Sequence, residues 1–144
     1  MASKFARGKF TMTNPAKYVG TKIPTYRSSW EWSFMRFCDT NKSVQKWASE
    51  AIQIPYRDPL TGRYTIYVPD FFIQYLDKNN RMNVELIEIK PSTQATMESA
   101  KSYKDKLSVA INMAKWAAAD AWARANNIRF RVVTEYDIFK NVKR

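Results

Sequence analysis

The fold turns on Val68-Pro69-Asp70-Phe71-Phe72-Ile73-Gln74-Tyr75-Leu76, then Asp77-Lys78-Asn79-Asn80, then Val84-Glu85-Leu86-Ile87-Glu88-Ile89-Lys90-Pro91. The first and last runs are rich in β-branched and aromatic residues, and the Asp/Asn cluster between them is a turn signal. Together they predict a β-hairpin that ends at Pro91, which cannot donate to a strand ladder. In an antiparallel hairpin the start of one strand lies beside the end of the next. Asp70 is therefore expected close to Glu88 and Lys90. Alternation along the second strand puts Glu88 and Lys90 on one face, with Ile87 and Ile89 on the other.

Two carboxylates and a lysine in one place have a specific chemistry available. Carboxylate oxygens suit hard ions such as Mg2+ or Mn2+, and the Ile89 backbone carbonyl could complete the shell. Such an ion lowers the pKa of a bound water and neutralises charge growing on a phosphate. Lys90 would position or deprotonate that water, or stabilise the phosphate. Without a cation, adjacent carboxylates repel, and the pKa of at least one should rise. The plain alternative is a cross-strand ion pair on an exposed strand face.

The rest of the chain narrows the choice. Its 144 residues favour one domain, long enough to bury a core without disulfides. With 24 Lys and Arg against 13 Asp and Glu, the net charge is +11, which points to an anionic partner, nucleic acid before an anionic membrane surface. There is no histidine, so Ser-His-Asp, Cys-His and histidine-based metal chemistry are excluded. Cys38, the single cysteine, reads as a small core hydrophobe. The three glycines cannot build a phosphate-cradling loop. No run approaches a membrane span, and no secretory signal opens the chain.

Residues 1–25 carry Lys4, Arg7, Lys9, Lys17 and Lys22 with no acid and no periodicity. They read as a basic, largely extended arm, either a solvated tail or an arm lying on DNA or a protein partner. The domain proper is expected over 26–144. Ser28-Ser29-Trp30-Glu31 fits a capping box that starts a helix. Glu31 could instead aim its carboxylate at the acid pair. Arg27 and Ser28, at that helix start, could hold a DNA phosphate or serve only the cap. A second short helix is predicted over Ser43–Ala51. Strands are predicted at Ile52–Tyr56 and Tyr64–Val68, separated by the Asp58–Arg63 turn. A long helix is predicted from Thr93 to Asn126, about 45 Å if unbroken. Its apolar stripe runs Tyr103, Leu107, Ala110, Ile111, Ala114, Ala118, Ala121, Trp122 and Ala125. A strand over Ile128–Thr134 and a closing helix over Glu135–Val142 complete an α/β fold, a mixed central sheet flanked by helices. Glu50, Glu85 and Glu98 read as surface acids. Trp30 and Trp122 read as core, Trp32 and Trp116 as base-stacking candidates.

Pro69-Asp70 with Glu88-Ile89-Lys90, and Glu31 on an upstream helix, resembles the PD-(D/E)XK nuclease superfamily. Tyr26-Arg27-Ser28-Ser29-Trp30-Glu31 is similar to the branch holding phage junction-resolving endonuclease I and the transposon endonuclease TnsA. Further blocks resemble the head-completion nucleases of T-even-type tailed phages: Phe37-Cys38-Asp39, Trp47-Ala48-Ser49-Glu50, Ile54-Pro55-Tyr56, and Pro91 with Gln94. The resemblance covers roughly residues 14–96. It implies a restriction-endonuclease-like core and a Mg2+- or Mn2+-dependent DNA nuclease. Such an enzyme would act on packaged double-stranded or branched DNA during head completion, before tail joining. Glu31, Asp70, Glu88 and Lys90 would form its active site, with Gln94 in support, in the virion head-neck region or in host cytoplasm during assembly. A different class remains alongside: a structural DNA-binding or portal-associated head-tail joining protein with this fold but little catalysis.

Overall fold

The computed structural model describes residues 7–96 and 100–137. In chain order the described residues form β1 (Gly8–Lys9), β2 (Thr25–Tyr26), α1 (Ser29–Thr40), β3 (Val44–Ser49), β4 (Ile54–Arg57), β5 (Tyr64–Tyr67), β6 (Phe71–Leu76), β7 (Met82–Ile89), α2 (Tyr103–Ala125) and β8 (Arg129–Val133). Single 3-10 turns lie at Pro15–Lys17 and Ser92–Gln94. The predicted hairpin is the centre of a four-stranded mixed sheet, ordered β3-β6-β7-β8. β6 pairs antiparallel with β3 and β7, while β8 runs parallel to β7 after crossing over through α2. Phe71 faces Ile87, so one step further along Asp70 comes opposite Glu88.

Each face of the sheet carries a helix. Phe34, Met35 and Cys38 of α1 pack on Val44, Trp47, Phe71, Ile73, Ile87, Ile89 and Val133. Ala119 of α2 packs on Leu86, with Phe72 and Phe130 beside it and the β4–β5 hairpin contributing Ile54, Tyr56 and Tyr67. This is the alternation of β6 and β7 made visible: odd positions face α1, even positions face α2. Asp70 and Glu88 therefore belong to the α2 side.

Residues 7–25 are mostly extended, and they lie on the domain's own core. Phe10 is buried against Trp47, ring to ring at 6.0 Å, and Tyr18 meets the same ring at 4.7 Å. Buried Asp39 accepts hydrogen bonds from the backbone amides of Thr13 (2.8 Å) and Asn14 (2.9 Å). A buried carboxylate bonded to two amides is a strong fastening, because losing either partner would leave buried charge unsatisfied.

Several predicted elements need correction. The expected helix over Ser43–Ala51 is β3. The register shifts between Val44 and Lys46, and that bulge brings Val44 and Trp47 onto the same buried face. A three-residue interval on one face imitates helical spacing. The long helix begins at Tyr103 rather than Thr93, with the Ser102 hydroxyl accepting the Asp105 amide at 3.0 Å. Its 23 residues span about 34 Å. Its inner face also differs: Val109, Asn112, Ala119 and Ala123 are buried, whereas Tyr103, Ala121 and Ala125 are exposed. Asn112 in the buried row conceals that row from an apolar count. Trp116 is half-buried in the α2 cluster, not a free stacking surface. Trp32 is exposed, with the Arg36 guanidinium 5.6 Å from its ring centroid.

Glu85 is not a surface acid. It is 2% exposed on the α1 side, accepting from Tyr75 Oη at 2.7 Å and pairing with Arg129 and Arg131 at 3.1 Å each. Two arginines spaced two apart on β8 present both guanidinia on that side of the sheet. Glu98, residues 97–99 of the predicted long helix, and 138–142 of the predicted closing helix lie outside the described residues. Glu135–Asp137 do open a helical turn.

Candidate active site

The site sits at the end of the sheet where β6 begins and β7 finishes. Asp70 is anchored there because its Oδ2 accepts the Ile89 amide at 2.8 Å. A residue's N–H and C=O point the same way across a strand, so the Ile89 carbonyl also faces the Asp70 side. Glu88 is 5% exposed. Its Oε1 accepts from Tyr67 Oη at 2.7 Å, and its Oε2 lies 3.8 Å from Lys90 Nζ. Lys90 is held in turn by its amide, which donates to the Val133 carbonyl at 3.0 Å. Burial raises the Asp70 pKa well above the ordinary carboxylate value, and the neighbouring Glu88 charge raises it further. Burial raises the Glu88 pKa too, against the stabilising Tyr67 hydrogen bond and the Lys90 charge. Burial is the first cause at both acids, and the charge of Glu88 adds to it at Asp70.

Glu31 reaches the same end of the sheet from α1. Its amide donates to Ser28 Oγ at 3.1 Å, the N-cap bond, and its Oε1 accepts the Arg27 amide at 3.0 Å. Burial raises its pKa, and the Glu50 and Lys90 charges both act on it. Glu31 thus performs the capping role with one oxygen, and Oε2 is the atom left for another. Among the described residues, no three acids, cysteines or histidines stand close enough to hold an ion by themselves. The tight group is the pair Asp70 and Glu88, with Glu31 contributing at longer range.

The other candidates are distributed as follows. Arg27 is exposed and its Nη2 pairs with Glu50 Oε2 at 2.7 Å, so that guanidinium is already engaged beside Glu31. Arg7 and Lys9 are exposed. Lys17 Nζ is engaged with the carbonyls of Asp39 (3.1 Å) and Asn41 (2.9 Å), a structural use of its charge. Lys4 lies outside the described residues, as does the side chain of Gln94.

Three neighbours were not legible in the sequence. Glu50, read as a surface acid, donates its amide to the Asp70 carbonyl at 2.9 Å from a left-handed backbone conformation, φ 50°. Tyr67 comes from β5, outside the sheet, and Lys115 from the middle of α2; Lys115 Nζ lies 5.7 Å from the Tyr67 ring centroid. No local pattern marks a tyrosine that will orient a carboxylate 21 residues away. Its hydroxyl is a dependable donor, since burial and the Glu88 charge push its pKa upward. Tyr67→Phe keeps the ring and removes the hydrogen bond. If Glu88 holds a divalent ion, the substitution should weaken Mn2+ binding, read by electron paramagnetic resonance, about tenfold, the scale typical of a lost partner to a liganding group. Unchanged Mn2+ affinity would show that Glu88 does not depend on Tyr67 for its orientation.

A mixed sheet between helices, with an acid at the head of one central strand and Glu-Ile-Lys at the tail of its neighbour, defines a restriction-endonuclease-like protein. The chain belongs to the TnsA-like endonuclease N-terminal family, whose model matches residues 41–135. It is also similar to the head completion nuclease of Enterobacteria phage T4, at 32% identity over 139 residues, covering 89% of this chain and 90% of that protein. Asp70, Glu88 and Lys90 all fall inside the matched family segment. No helix among the described residues is long and apolar enough to cross a membrane.

Proposed function

We propose that this protein is a Mg2+- or Mn2+-dependent deoxyribonuclease that trims packaged phage DNA during head completion, before the tail joins. Asp70 and Glu88 carry the reading. They are two shielded carboxylates placed opposite each other, each with a raised pKa, in a chain of net charge +11. A protein with little use for catalysis has no reason to sustain such repulsion, whereas a divalent cation removes it. Asp70, Glu88 and the Ile89 carbonyl would hold the ion, and all three are hard oxygen donors that fit it. When bound, the ion supplies an acidified water and charge neutralisation at phosphate.

The side chains supply the remaining steps. Lys90, 3.8 Å from Glu88, orients the water or meets the charge that develops on the phosphate. Glu31 turns Oε2 toward the same water. The water oxygen attacks phosphorus and releases its proton to solvent, the bond to the departing oxygen breaks, and that oxygen takes a proton from solvent as it leaves. Arg27 and Ser28 at the helix start, with Lys4, Arg7 and Lys9 from the basic arm, contact the sugar-phosphate backbone of double-stranded or branched DNA. Portal or neck proteins would be the protein partners, and the assembling virion the location. The test is supercoiled plasmid with the purified chain. Nicking or degradation is expected with Mg2+ or Mn2+ and none in chelator. Failure to cut with any divalent ion would favour a structural head-tail joining role instead.

A further inference from the structure

Lys115 projects from α2 onto the rings of Tyr56 and Tyr67, its Nζ lying 5.9 and 5.7 Å from their centroids. It is half-buried, and among the described residues it makes no ion pair. A lysine on a helix surface ordinarily keeps its ammonium in water. This one is drawn inward, onto two aromatic faces, one of which belongs to the tyrosine that fixes Glu88. Its charge also acts on Glu88. The ammonium is thus positioned relative to the acid pair through a rigid intermediary, on the α2 side of the sheet, while Lys90 approaches from β7 itself.

Cation–π contact leaves an ammonium part of its donor capacity, because the ring accepts through its face and does not remove the charge. In the metal-free protein Glu88 balances some of that charge. Lys115 is thus a half-buried positive group held on the same side of the sheet as Asp70 and Glu88. A phosphate oxygen is the anion that a polyanionic strand entering the site would offer it. We propose that Lys115 is a substrate-binding residue of the active site, contacting a backbone phosphate of the DNA next to the scissile one. The inference rests on the nuclease reading for the identity of its substrate. It is a positioning role: Lys115 sets where the strand lies and takes no part in bond breaking.

The test compares wild type with Lys115→Met and Lys115→Arg in the full chain. Binding of a fluorescent duplex is followed by anisotropy across a salt series with Ca2+ present. One lost phosphate contact should make the slope of log affinity against log salt shallower by about 1 for Lys115→Met. Lys115→Arg should keep the wild-type slope. In cleavage with Mg2+, Lys115→Met should raise KM about tenfold with kcat within about twofold, the split expected when uniform binding is lost. Mn2+ affinity should not fall, because removing a positive charge that acts on Glu88 can only favour the cation; a merely structural role through Tyr67 and Glu88 would instead weaken it. A wild-type slope in Lys115→Met overturns the proposal, as does a loss of Mn2+ affinity matching that of Tyr67→Phe. Should Lys115→Met fail to fold, Lys115→Gln carries the same comparison. The binding series needs no cleavage. Wild type that binds DNA yet never cuts it would sink the nuclease reading and leave the Lys115 contact to be judged on its own slope.

Discussion

Glu88→Ala should abolish cleavage, by about a thousandfold or more, while DNA affinity in Ca2+ stays within a few-fold of wild type. The size follows from what the carboxylate does: several kcal/mol of metal-borne charge stabilisation would be lost together. The survival of binding follows from location. The phosphate contacts proposed above are spread over several cations, Lys115 and those of the N-terminal segment among them, and electrostatic affinity for DNA depends on the number of cations rather than on one acid. The substitution also strands the Tyr67 hydroxyl in a shielded position, its Glu88 partner at 2.7 Å gone, a cost of about 1–3 kcal/mol. Glu88→Gln, which can still accept from Tyr67, therefore separates chemistry from folding. It should be as inactive as Glu88→Ala and more stable. Plasmid nicking and anisotropy measure the two halves. Cutting by Glu88→Gln at the wild-type rate would mean that another site does the work or that the preparation carries a contaminant.

The parts of the site that could be read from the chain are those built by local pairing. Asp70 and Glu88 meet because a tight turn joins β6 to β7, and a hairpin's register follows from its turn and its alternation. Lys90 follows from Glu88 by period two. What escaped reading was assembled from a distance or through an irregularity. Glu85 looked like a surface acid because its partners, Arg129 and Arg131, lie 44 and 46 residues further on. Nothing in Val84–Ile89 announces that two guanidinia will be brought back by a parallel crossover. β3 looked helical because a bulge shifted its period. The start of α2 carries its own signal, since Ser102 and Asp105 form a cap as good as the one at Ser28. Glu31 supports two readings for a physical reason: it caps α1 through one oxygen, and its charge also acts on Asp70.

Asp70→Asn should cost activity on the same scale as Glu88→Ala and yet raise the stability of the metal-free protein at neutral pH. The amide oxygen can still accept from the Ile89 amide, which now reaches Asp70 at 2.8 Å, so the local geometry is kept. What disappears is a charge that burial and Glu88 both oppose. Because the folded-state pKa of Asp70 is raised, the folded chain holds this proton more tightly than the unfolded chain does. The stability it contributes is complete below the ordinary carboxylate pKa of about 4. It is lost as pH rises from there through the raised folded value, at about 1.4 kcal/mol per pH unit while only the folded state keeps the proton. Glu88, shifted in the same direction, adds to the slope. Wild type in chelator should thus lose thermal stability on passing from acid toward neutral pH, and Asp70→Asn should lose less. A divalent ion competes with that proton, so Mn2+ should stabilise wild type increasingly as pH rises. Its effect would be about 1.4 kcal/mol at ten times the dissociation constant, and it should leave Asp70→Asn nearly unmoved. Melting curves of the two proteins in chelator and in Mn2+, at acid and neutral pH, give all four comparisons. If Asp70→Asn melts below wild type at neutral pH in chelator, or gains as much from Mn2+, then Asp70 and Glu88 do not repel as the geometry requires, and no cation is needed to reconcile them.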